Sequence, residues 1–138
     1  MTDQITENQN MSEAERAIAI LGARGRLGRV VAESFAKAGW KVVAITRDGK
    51  PAPDEAVHPN IVYRAADALD AAAIARACAD CGHVFNALNP PYTRWHDEAL
   101  AMADNVIEAL SGRDVVHLFA GNVYNFGTTI PAMVDEDT

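Results

Sequence analysis

The sequence predicts an α/β fold, a doubly wound parallel sheet of about five strands. Short apolar runs, of the kind found in buried strands, alternate along the chain with stretches of helical periodicity. The connections between these runs are long enough to cross over the sheet, which favours parallel strands joined by right-handed crossovers. Three glycines follow the first run, where such folds place a tight turn. We therefore expect the strand order 3-2-1-4-5.

The first half of the chain predicts a strand, a turn, a helix and a second strand. Residues 17–21, AIAIL, are a continuous apolar run that is typical of a buried strand. Residues 26–38 have helical periodicity, and Gly39 is suited to end that helix. The predicted apolar face of the helix consists of Leu27, Val30, Val31, Phe35 and Ala38. Residues 41–46, KVVAIT, predict the second strand, and three prolines exclude regular structure from residues 47–59.

The second half continues the alternation. Residues 61–66 predict a strand, residues 70–80 an alanine-rich helix and residues 83–88 a further strand. A helix at 95–111 follows a Pro-Pro break, and residues 114–120 predict the fifth strand. We expect the apolar face of the last helix to consist of Leu100, Ala103, Ile107 and Leu110.

Size and charge limit the classes of function. The 138 residues suffice for one domain, and we expect a flexible polar leader at 1–15 and a single domain at 16–138. The net charge of −7 lies in the two tails, and the balanced body has no basic stripe, so we expect no binding to nucleic acid. No apolar stretch is long enough to span a membrane and no export signal precedes the domain, so we expect a cytoplasmic protein.

The two cysteines, Cys78 and Cys81, form a C-x-x-C pair that has two interpretations. Such a pair occurs in redox motifs and as half of a zinc site. His83 lies nearby, but no second cysteine pair exists to complete a zinc site. We expect both residues to serve as small apolar side chains at the end of a helix, and we expect no metal.

The turn at residues 22–28, GARGRLG, is the strongest functional signal. Gly22 suits a tight turn, Gly25 allows the backbone to approach a diphosphate, and Gly28 allows the helix to pack closely on the sheet. The first turn of the helix then offers free N–H groups to a phosphate. Because the triplet follows a predicted strand and opens a predicted helix, we interpret it as a dinucleotide-binding turn rather than a purely structural one. No Lys-Ser or Lys-Thr follows the last glycine, which excludes a P-loop.

Five segments across residues 17–138 carry a resemblance to a known family: ILGARGRLG, VVAITR, AADAL, VFNALNPPY and VVHLFAGNVYNFG. With these segments the chain resembles the N-terminal portion of the extended or atypical short-chain dehydrogenase/reductases, which are NAD(P)-dependent epimerase/dehydratase-like proteins. The resemblance implies the Rossmann-type NAD(P)-binding domain of an oxidoreductase or an epimerase/dehydratase-like protein. The fold it implies is the one that periodicity predicts.

The end of the second strand indicates which nucleotide is bound. An NAD-binding protein would place an acidic residue there to bind the ribose hydroxyls, whereas this chain has Thr46 and Arg47. A guanidinium can grip a 2′-phosphate with two hydrogen bonds, and Arg24 in the glycine turn can approach the same phosphate. We therefore expect NADP(H) in preference to NAD(H). Asp48 argues against this interpretation, and Arg47 can also be read as an ordinary solvated charge.

The cofactor site predicted from the turn and the resemblance extends over four strand ends. Its turn residues are Gly22, Ala23, Arg24, Gly25, Arg26, Leu27 and Gly28. The resemblance implies that Asp67, with Ala68 beside it, binds the adenine amino group, and the alternative for Asp67 is the N-cap of the next helix. It also implies that Ala87, Leu88 and Asn89 line the nicotinamide riboside, although Pro90-Pro91 can make the same segment a rigid loop.

The catalytic residues of the family are missing. Its members use Tyr-x-x-x-Lys, in which the phenol exchanges a proton with the substrate. No lysine follows Lys50, so no such motif exists in this chain. The Ser or Thr that usually ends the fifth strand is replaced by FAGN. Asn122 and Tyr124 are weak candidates for contacts to an unknown small-molecule substrate, and their alternatives are a loop hydrogen bond and a half-buried loop aromatic.

The sequence ends where family members continue into their Tyr/Lys helix and substrate subdomain, so we expect a C-terminally incomplete fold from a fragment or an interrupted gene. Two predicted helices then cover one face of the sheet and one helix covers the other. The fifth strand should be an open edge, through which the chain could self-associate. Two alternatives remain open at this point. The chain can be a non-catalytic NADP(H)-sensing module, or it can be a gene fragment that has no function.

Overall fold

The computed structural model describes residues 12–122 and 124–138. Five parallel strands form one sheet: β1 (Ala17–Leu21), β2 (Lys41–Thr46), β3 (Ile61–Ala65), β4 (His83–Asn86) and β5 (Val116–Phe119). Their order is β3-β2-β1-β4-β5, so the predicted fold class and strand order are confirmed. β1 is buried at every position because it lies at the centre of the sheet with helices on both faces.

Three helices cover the sheet: α1 (Arg26–Lys37), α2 (Ala71–Ala77) and α3 (Trp95–Leu110). α2 and α3 pack together on one face, and α1 covers the other, as the right-handed crossovers predict. Short 3-10 turns at Tyr92–Arg94 and Tyr124–Phe126 precede α3 and follow β5. All three helices and all five strands end within a few residues of their predicted bounds.

Most of the predicted leader, residues 1–11, lies outside the described residues. Ser12 and Glu15 cap a short turn with reciprocal hydrogen bonds between side chain and backbone. The Ala14 carbonyl of this turn accepts a hydrogen bond of 2.9 Å from the Gly82 N–H at the start of β4. The packed part of the chain therefore begins before residue 16.

Gly39 ends α1 as predicted. Its φ is +83°, its N–H donates to the Ala36 carbonyl, and the Trp40 N–H donates to the Phe35 carbonyl. These two bonds form a Schellman motif, in which a left-handed residue satisfies the last carbonyls of a helix. The motif turns the chain directly into β2.

The predicted apolar faces of α1 and α3 are partly wrong. In α3, Leu100 and Ile107 are 72% and 61% exposed, and the buried face consists of Met102, Val106, Ala109 and Leu110. Both sets of residues have helical spacing, so periodicity cannot choose between them, and packing against α2 and the sheet selects the second set.

In α1, the residues that approach the sheet are the small ones. Gly28, Ala32 and Ala36 are buried, whereas Leu27 and Val30 are exposed. The small side chains allow a close approach of helix and sheet, and the larger Val31 and Phe35 then pack at the flanks.

β5 is an edge strand of the sheet, as predicted. Val116 and Phe119 are about half exposed or more, at 49% and 63%, and Leu118 is only partly covered. This edge presents unpaired backbone groups and apolar side chains, so self-association through it stays a prediction.

Cys78 and Cys81 are both buried in the core between α2, α3 and the sheet, as the apolar interpretation predicts. Burial raises the pKa of the Cys78 thiol to about 11 and that of Cys81 to about 12. The guanidinium of Arg113 donates hydrogen bonds to the Cys78 and Cys81 carbonyls and so closes the C-terminal end of α2.

The two thiols should therefore be inert in the folded protein. At mildly alkaline pH both remain protonated because their pKa values are raised, and only the thiolate attacks a disulfide reagent. We expect Ellman's reagent to label neither thiol at an appreciable rate in buffer and both thiols rapidly in guanidinium chloride. Fast labelling of either cysteine in the native protein would contradict the buried placement.

Candidate functional site

The glycine turn lies between the ends of β1, β2 and β4. The Ala23 N–H donates to the Ile45 carbonyl, and the Ala87 N–H donates to the Leu21 carbonyl, so the turn is held by both neighbouring strands. Gly22 has a φ of +72°, and a Cβ at this position would lie 2.8 Å from the Ala87 carbonyl oxygen. Any other residue would be strained by its backbone and would also clash with β4.

Gly28 packs the first turn of α1 directly on this backbone. A Cβ on Gly28 would lie 2.9 Å from the Cα of Ala23 and closer still to the Gly22 carbonyl oxygen. Both Gly28 and Ala23 are buried, so they support the turn from below and do not line the clefts described next. The predicted roles of Gly22 and Gly28 are the ones that this geometry requires.

The N-terminus of α1 offers free hydrogen-bond donors. Gly25 is the N-cap, none of the described side chains caps the helix, and no acidic residue lies in its first turn. In the part of the chain that the structure describes, no group accepts a hydrogen bond from the N–H of Arg26 or Leu27. Unpaired N–H groups and the positive end of the helix dipole together form an anion-binding position.

Two clefts open from the glycine turn. The first has a volume of about 350 Å³ and lies over the ends of β1, β2 and β3. Of the predicted cofactor residues it is lined by Gly22, Arg24, Gly25, Arg47, Ala68, Ala87, Leu88 and Asn89. The second has a volume of about 520 Å³ and lies between α3 and the end of β5.

The second cleft brings together predicted residues from both ends of the chain. Its predicted members are Gly25, Arg26, Leu27, Ala87, Leu88, Asn89, Asn122 and Tyr124. The two clefts share Gly25 and the segment 87–90, so one elongated ligand can extend from the first cleft to the entrance of the second. Volumes of several hundred Å³ are in the range of small-molecule and cofactor sites.

The charged groups of the first cleft are mostly paired. Arg24 is predicted from the sequence to approach the 2′-phosphate, but its guanidinium instead donates to Asp48 Oδ1 at 2.7 Å and to the Lys50 carbonyl at 2.8 Å. The hydrogen bond from Arg24 lowers the pKa of the Asp48 carboxyl below its usual value. Asp48 also accepts from the Thr46 hydroxyl and the Lys50 N–H, so the carboxylate is committed to its own loop.

Arg47 has no side-chain partner in the described part of the chain. It is exposed and lines the first cleft, and among the described residues no group forms a hydrogen bond or ion pair with its guanidinium. The third arginine of this cleft, Arg94, is paired with Glu98 at 3.1 Å on the same helical face. The first cleft therefore has one uncompensated positive charge, at the end of β2.

The two acidic residues that precede α2 have different roles in the structure. Asp70, not Asp67, is the N-cap of this helix, and its Oδ1 accepts from the Ala73 N–H at 3.0 Å. Asp67 is exposed and lines neither cleft, and among the described residues its carboxylate accepts a hydrogen bond from the Leu69 N–H alone, in a local turn. Its N-cap alternative is therefore wrong, because Asp70 lies at the correct distance from the first helical turn.

The segment after β4 is fixed by an aromatic side chain. Asn89 Oδ1 accepts a hydrogen bond of 2.9 Å from Trp95 Nε1, and the Tyr92 and Tyr124 hydroxyl oxygens lie 2.9 Å apart. The Asn122 side chain accepts from the Tyr124 N–H, which is the loop role left open in the sequence. Tyr124 itself is 59% exposed rather than half-buried.

Several lining residues of the second cleft were not predicted from the sequence, among them Asn86, Tyr92 and Trp95. The aromatic residues directly after Pro90-Pro91 were a usable signal, because they sit where β4 ends. Val123, which belongs to the segment VVHLFAGNVYNFG of the resemblance, lies outside the described residues. The described ranges contain no group of three or more His, Cys, Asp or Glu residues able to hold a metal, and no helix long and apolar enough to cross a membrane.

Comparison with known proteins identifies a family model and several solved structures that are similar to this chain. A family model described as NAD(P)H-binding matches residues 22–137. A proposed epimerase from Burkholderia cenocepacia is 28% identical, with a TM-score of 0.70 over 89% of this chain and 42% of that one. The oxidoreductase ylbE from Lactococcus lactis is 16% identical, with a TM-score of 0.70 over 81% of this chain and 51% of that one.

A third relative was solved with a nucleotide. The Bordetella bronchiseptica enzyme WbmH, in complex with NAD+, is 22% identical, with a TM-score of 0.58 over 70% of this chain and 35% of that one. The chain thus spans about half the length of these relatives or less. No curated protein sequence matches it.

The packing of Gly28 gives a test of the turn. We expect Gly28→Ala to lower the free energy of unfolding by about 2 kcal/mol or more, because the new methyl group meets backbone atoms that cannot yield without moving the turn. Urea denaturation measures the change. Gly121→Ala is the matched control, since a Cβ there has no neighbour within 4 Å and should change stability by less than about 0.5 kcal/mol. Equal effects of the two substitutions would contradict the close packing.

Proposed function

The chain belongs to the NAD(P)H-binding family, and we propose that it binds NADP(H) in preference to NAD(H), with the diphosphate on the glycine turn. The observation that carries the preference is the uncompensated guanidinium of Arg47 at the end of β2. A 2′-phosphate is the feature that distinguishes NADP from NAD, and an arginine at this place can bind it with two charge-assisted hydrogen bonds.

The diphosphate is assigned to the start of α1. The free N–H groups of Arg26 and Leu27 and the absence of an acidic residue in the first turn suit two negatively charged phosphates. Gly25 lines both clefts without a side chain, and a Cβ there would make a tight contact of 3.3 Å with the Gly22 carbonyl oxygen. A diphosphate can therefore approach the backbone of the turn closely.

Thr46 and Asp48, on either side of Arg47, favour NADP(H) because neither provides the uncompensated carboxylate that an acidic residue would provide in an NAD site. Thr46 is buried, and its hydroxyl is hydrogen-bonded within its own loop. Asp48 is held by Arg24, so its negative charge is compensated and its Oδ1 is occupied by hydrogen bonds within the loop. Arg24 thereby supports phosphate binding indirectly, because it compensates the negative charge of the Asp48 carboxylate, which would otherwise repel a 2′-phosphate.

The remaining predicted contacts complete the proposed site. Ala68 and the segment Ala87–Leu88–Asn89 line the first cleft on opposite sides of the glycine turn, which suits the adenine and nicotinamide ends of the cofactor. Asp67 borders the adenine end from an exposed position, so a side-chain rotation is needed for it to bind the amino group.

The function supported best is the nucleotide-binding domain of an oxidoreductase or epimerase/dehydratase-like protein. The nicotinamide of a bound NADP(H) would supply or accept a hydride at the junction of the two clefts. The 138 residues contain no Tyr-x-x-x-Lys motif, so proton transfer needs other groups. A non-catalytic NADP(H)-sensing module is the second candidate, favoured by the mutual hydrogen bond that occupies the Tyr92 and Tyr124 hydroxyls.

Arg47→Ala tests the nucleotide preference. We expect isothermal titration to show NADPH binding that weakens about tenfold or more in the variant, since a charge-assisted hydrogen-bond pair is lost, with NADH affinity unchanged. Arg76→Ala is the matched control, an exposed arginine on α2 that lines neither cleft. Equal losses for NADPH and NADH, or no loss for either, would contradict the assignment of Arg47.

A pair of aspartate variants separates ligand binding from folding. Asp70→Ala should lower the free energy of unfolding by about 1 kcal/mol, because it removes the N-cap of α2, and should leave NADPH affinity intact. Asp67→Ala should weaken NADPH binding and change stability little. Denaturation curves and titrations on both variants make the comparison, and NADPH affinity that is unaltered in Asp67→Ala would remove this residue from the site.

A further inference from the structure

We infer that the second cleft binds a planar aromatic molecule that has a hydrogen-bond acceptor and no positive charge, and that Asn86 recognises this acceptor. The cleft lies between α3 and the end of β5, and its volume of about 520 Å³ accommodates a ligand of one to three rings. Four features carry the inference: a buried amide, an aromatic wall, the charge of the lining and its polar groups.

Asn86 is a polar side chain buried at the end of β4, with 4% of its surface exposed. Its Oδ1 accepts a hydrogen bond of 3.0 Å from the Leu88 N–H, which fixes the orientation of the amide. The Nδ2 group has no acceptor in the described part of the chain, and the residue lines the second cleft but not the first. Although the residue as a whole is buried, its Nδ2 is not one of the fully enclosed unpaired atoms, so this donor is open to the cleft and free to bind a ligand acceptor.

Three aromatic side chains form one wall of the cleft. The ring centroid of Trp95 lies 5.4 Å from that of Tyr92 and 6.0 Å from that of Tyr124. Tyr92 is 70% exposed and Tyr124 59% exposed, an unusual exposure for two adjacent aromatic rings. Rings grouped in this way offer faces and edges against which a planar ring can stack.

Most polar atoms of this wall already have a partner. One tyrosine hydroxyl donates to the other, which leaves a single O–H donor, and Trp95 Nε1 donates to Asn89. These bonds fix the rings and leave few free donors and acceptors in the cleft. A carbohydrate, which needs a partner for each of several hydroxyls, is therefore disfavoured relative to a flat aromatic molecule.

The charge of the lining excludes a cationic ligand. Aromatic groups that bind ammonium ions work best without a nearby positive charge, whereas Arg26 lines this cleft. Among the described lining residues there is no carboxylate to compensate it. A ligand without positive charge, neutral or anionic, fits this balance.

The position of the cleft suggests what the ligand does. It shares Gly25 and residues 87–90 with the first cleft, so its occupant would lie beside the nicotinamide end of the dinucleotide. The role of this occupant as hydride acceptor rests on the proposed function. Its binding to Asn86 and the aromatic wall does not.

Two probes of equal shape test the role of Asn86. 2-Acetylnaphthalene carries a carbonyl acceptor, and 2-ethylnaphthalene replaces it with a methylene group. We expect isothermal titration of the full chain, without dinucleotide, to show about fivefold tighter binding of the ketone, the value of one neutral hydrogen bond. Asn86→Asp keeps an acceptor for the Leu88 N–H but loses the Nδ2 donor, and should abolish the preference for the ketone.

Further variants test the wall. Trp95→Leu should weaken both probes by about tenfold, because the stacking surface is lost. Leu100→Ala, at an exposed apolar position of α3 outside both clefts, should change neither affinity. If Asn86→Asp fails to fold, the side-chain amide signals of Asn86 in nitrogen-15 spectra of the unmodified protein give the same information, since the ketone and not the hydrocarbon should shift them.

The inference is overturned by equal binding of the two probes, by a ketone preference that persists in folded Asn86→Asp, or by binding of methyl β-glucoside tighter than that of the ketone. NADPH titrations on the same samples separate the two proposals. Ketone binding without NADPH binding would support this site and contradict the proposed cofactor. NADPH binding with equal affinities for the two naphthalenes would do the reverse.

Discussion

The contact between the glycine turn and the ends of its neighbouring strands is the constraint on which the rest of the site depends. Gly22 can take its left-handed conformation against the Ala87 carbonyl only without a side chain, and Gly28 allows α1 to begin directly on that backbone. This contact aims the free N–H groups of the helix at the sheet edge where both clefts open. The position of the proposed diphosphate follows from backbone packing, not from a charged side chain.

The proposed preference for NADP(H) depends on charged side chains near the end of β2 and not on the backbone of the glycine turn. Arg24 lies within the glycine turn, yet it acts on the β2 end by binding Asp48 and the Lys50 carbonyl. The neighbouring Arg47 is thereby left as the unpaired cation of the first cleft among the described residues. One arginine thus compensates the local acid and the next remains free, an arrangement that neither residue type nor position reveals alone.

Local patterns predicted the sheet, its order and the turn, because continuous apolar runs and glycine spacing depend on near neighbours in the chain. The face of α3 could not be predicted in the same way. Leu100 and Ile107 have the same periodicity as the buried Met102 and Val106, and only packing against α2 distinguishes them. No sequence pattern indicated a role for Asn86. Its Nδ2 group is identified as a free donor only from the structure, in which the Leu88 N–H binds Oδ1 and so fixes the orientation of the amide.

The most direct test of the account is a nitrogen-15 NMR titration of the chain with NADP+. We expect the largest changes of backbone amide shift at Gly25, Arg26 and Leu27, because a diphosphate would accept hydrogen bonds from the free start of α1. Smaller changes should extend along the first cleft to Arg47. A folded chain whose amides at residues 25–27 do not respond to saturating NADP+ would contradict the central claim that this turn holds the nucleotide.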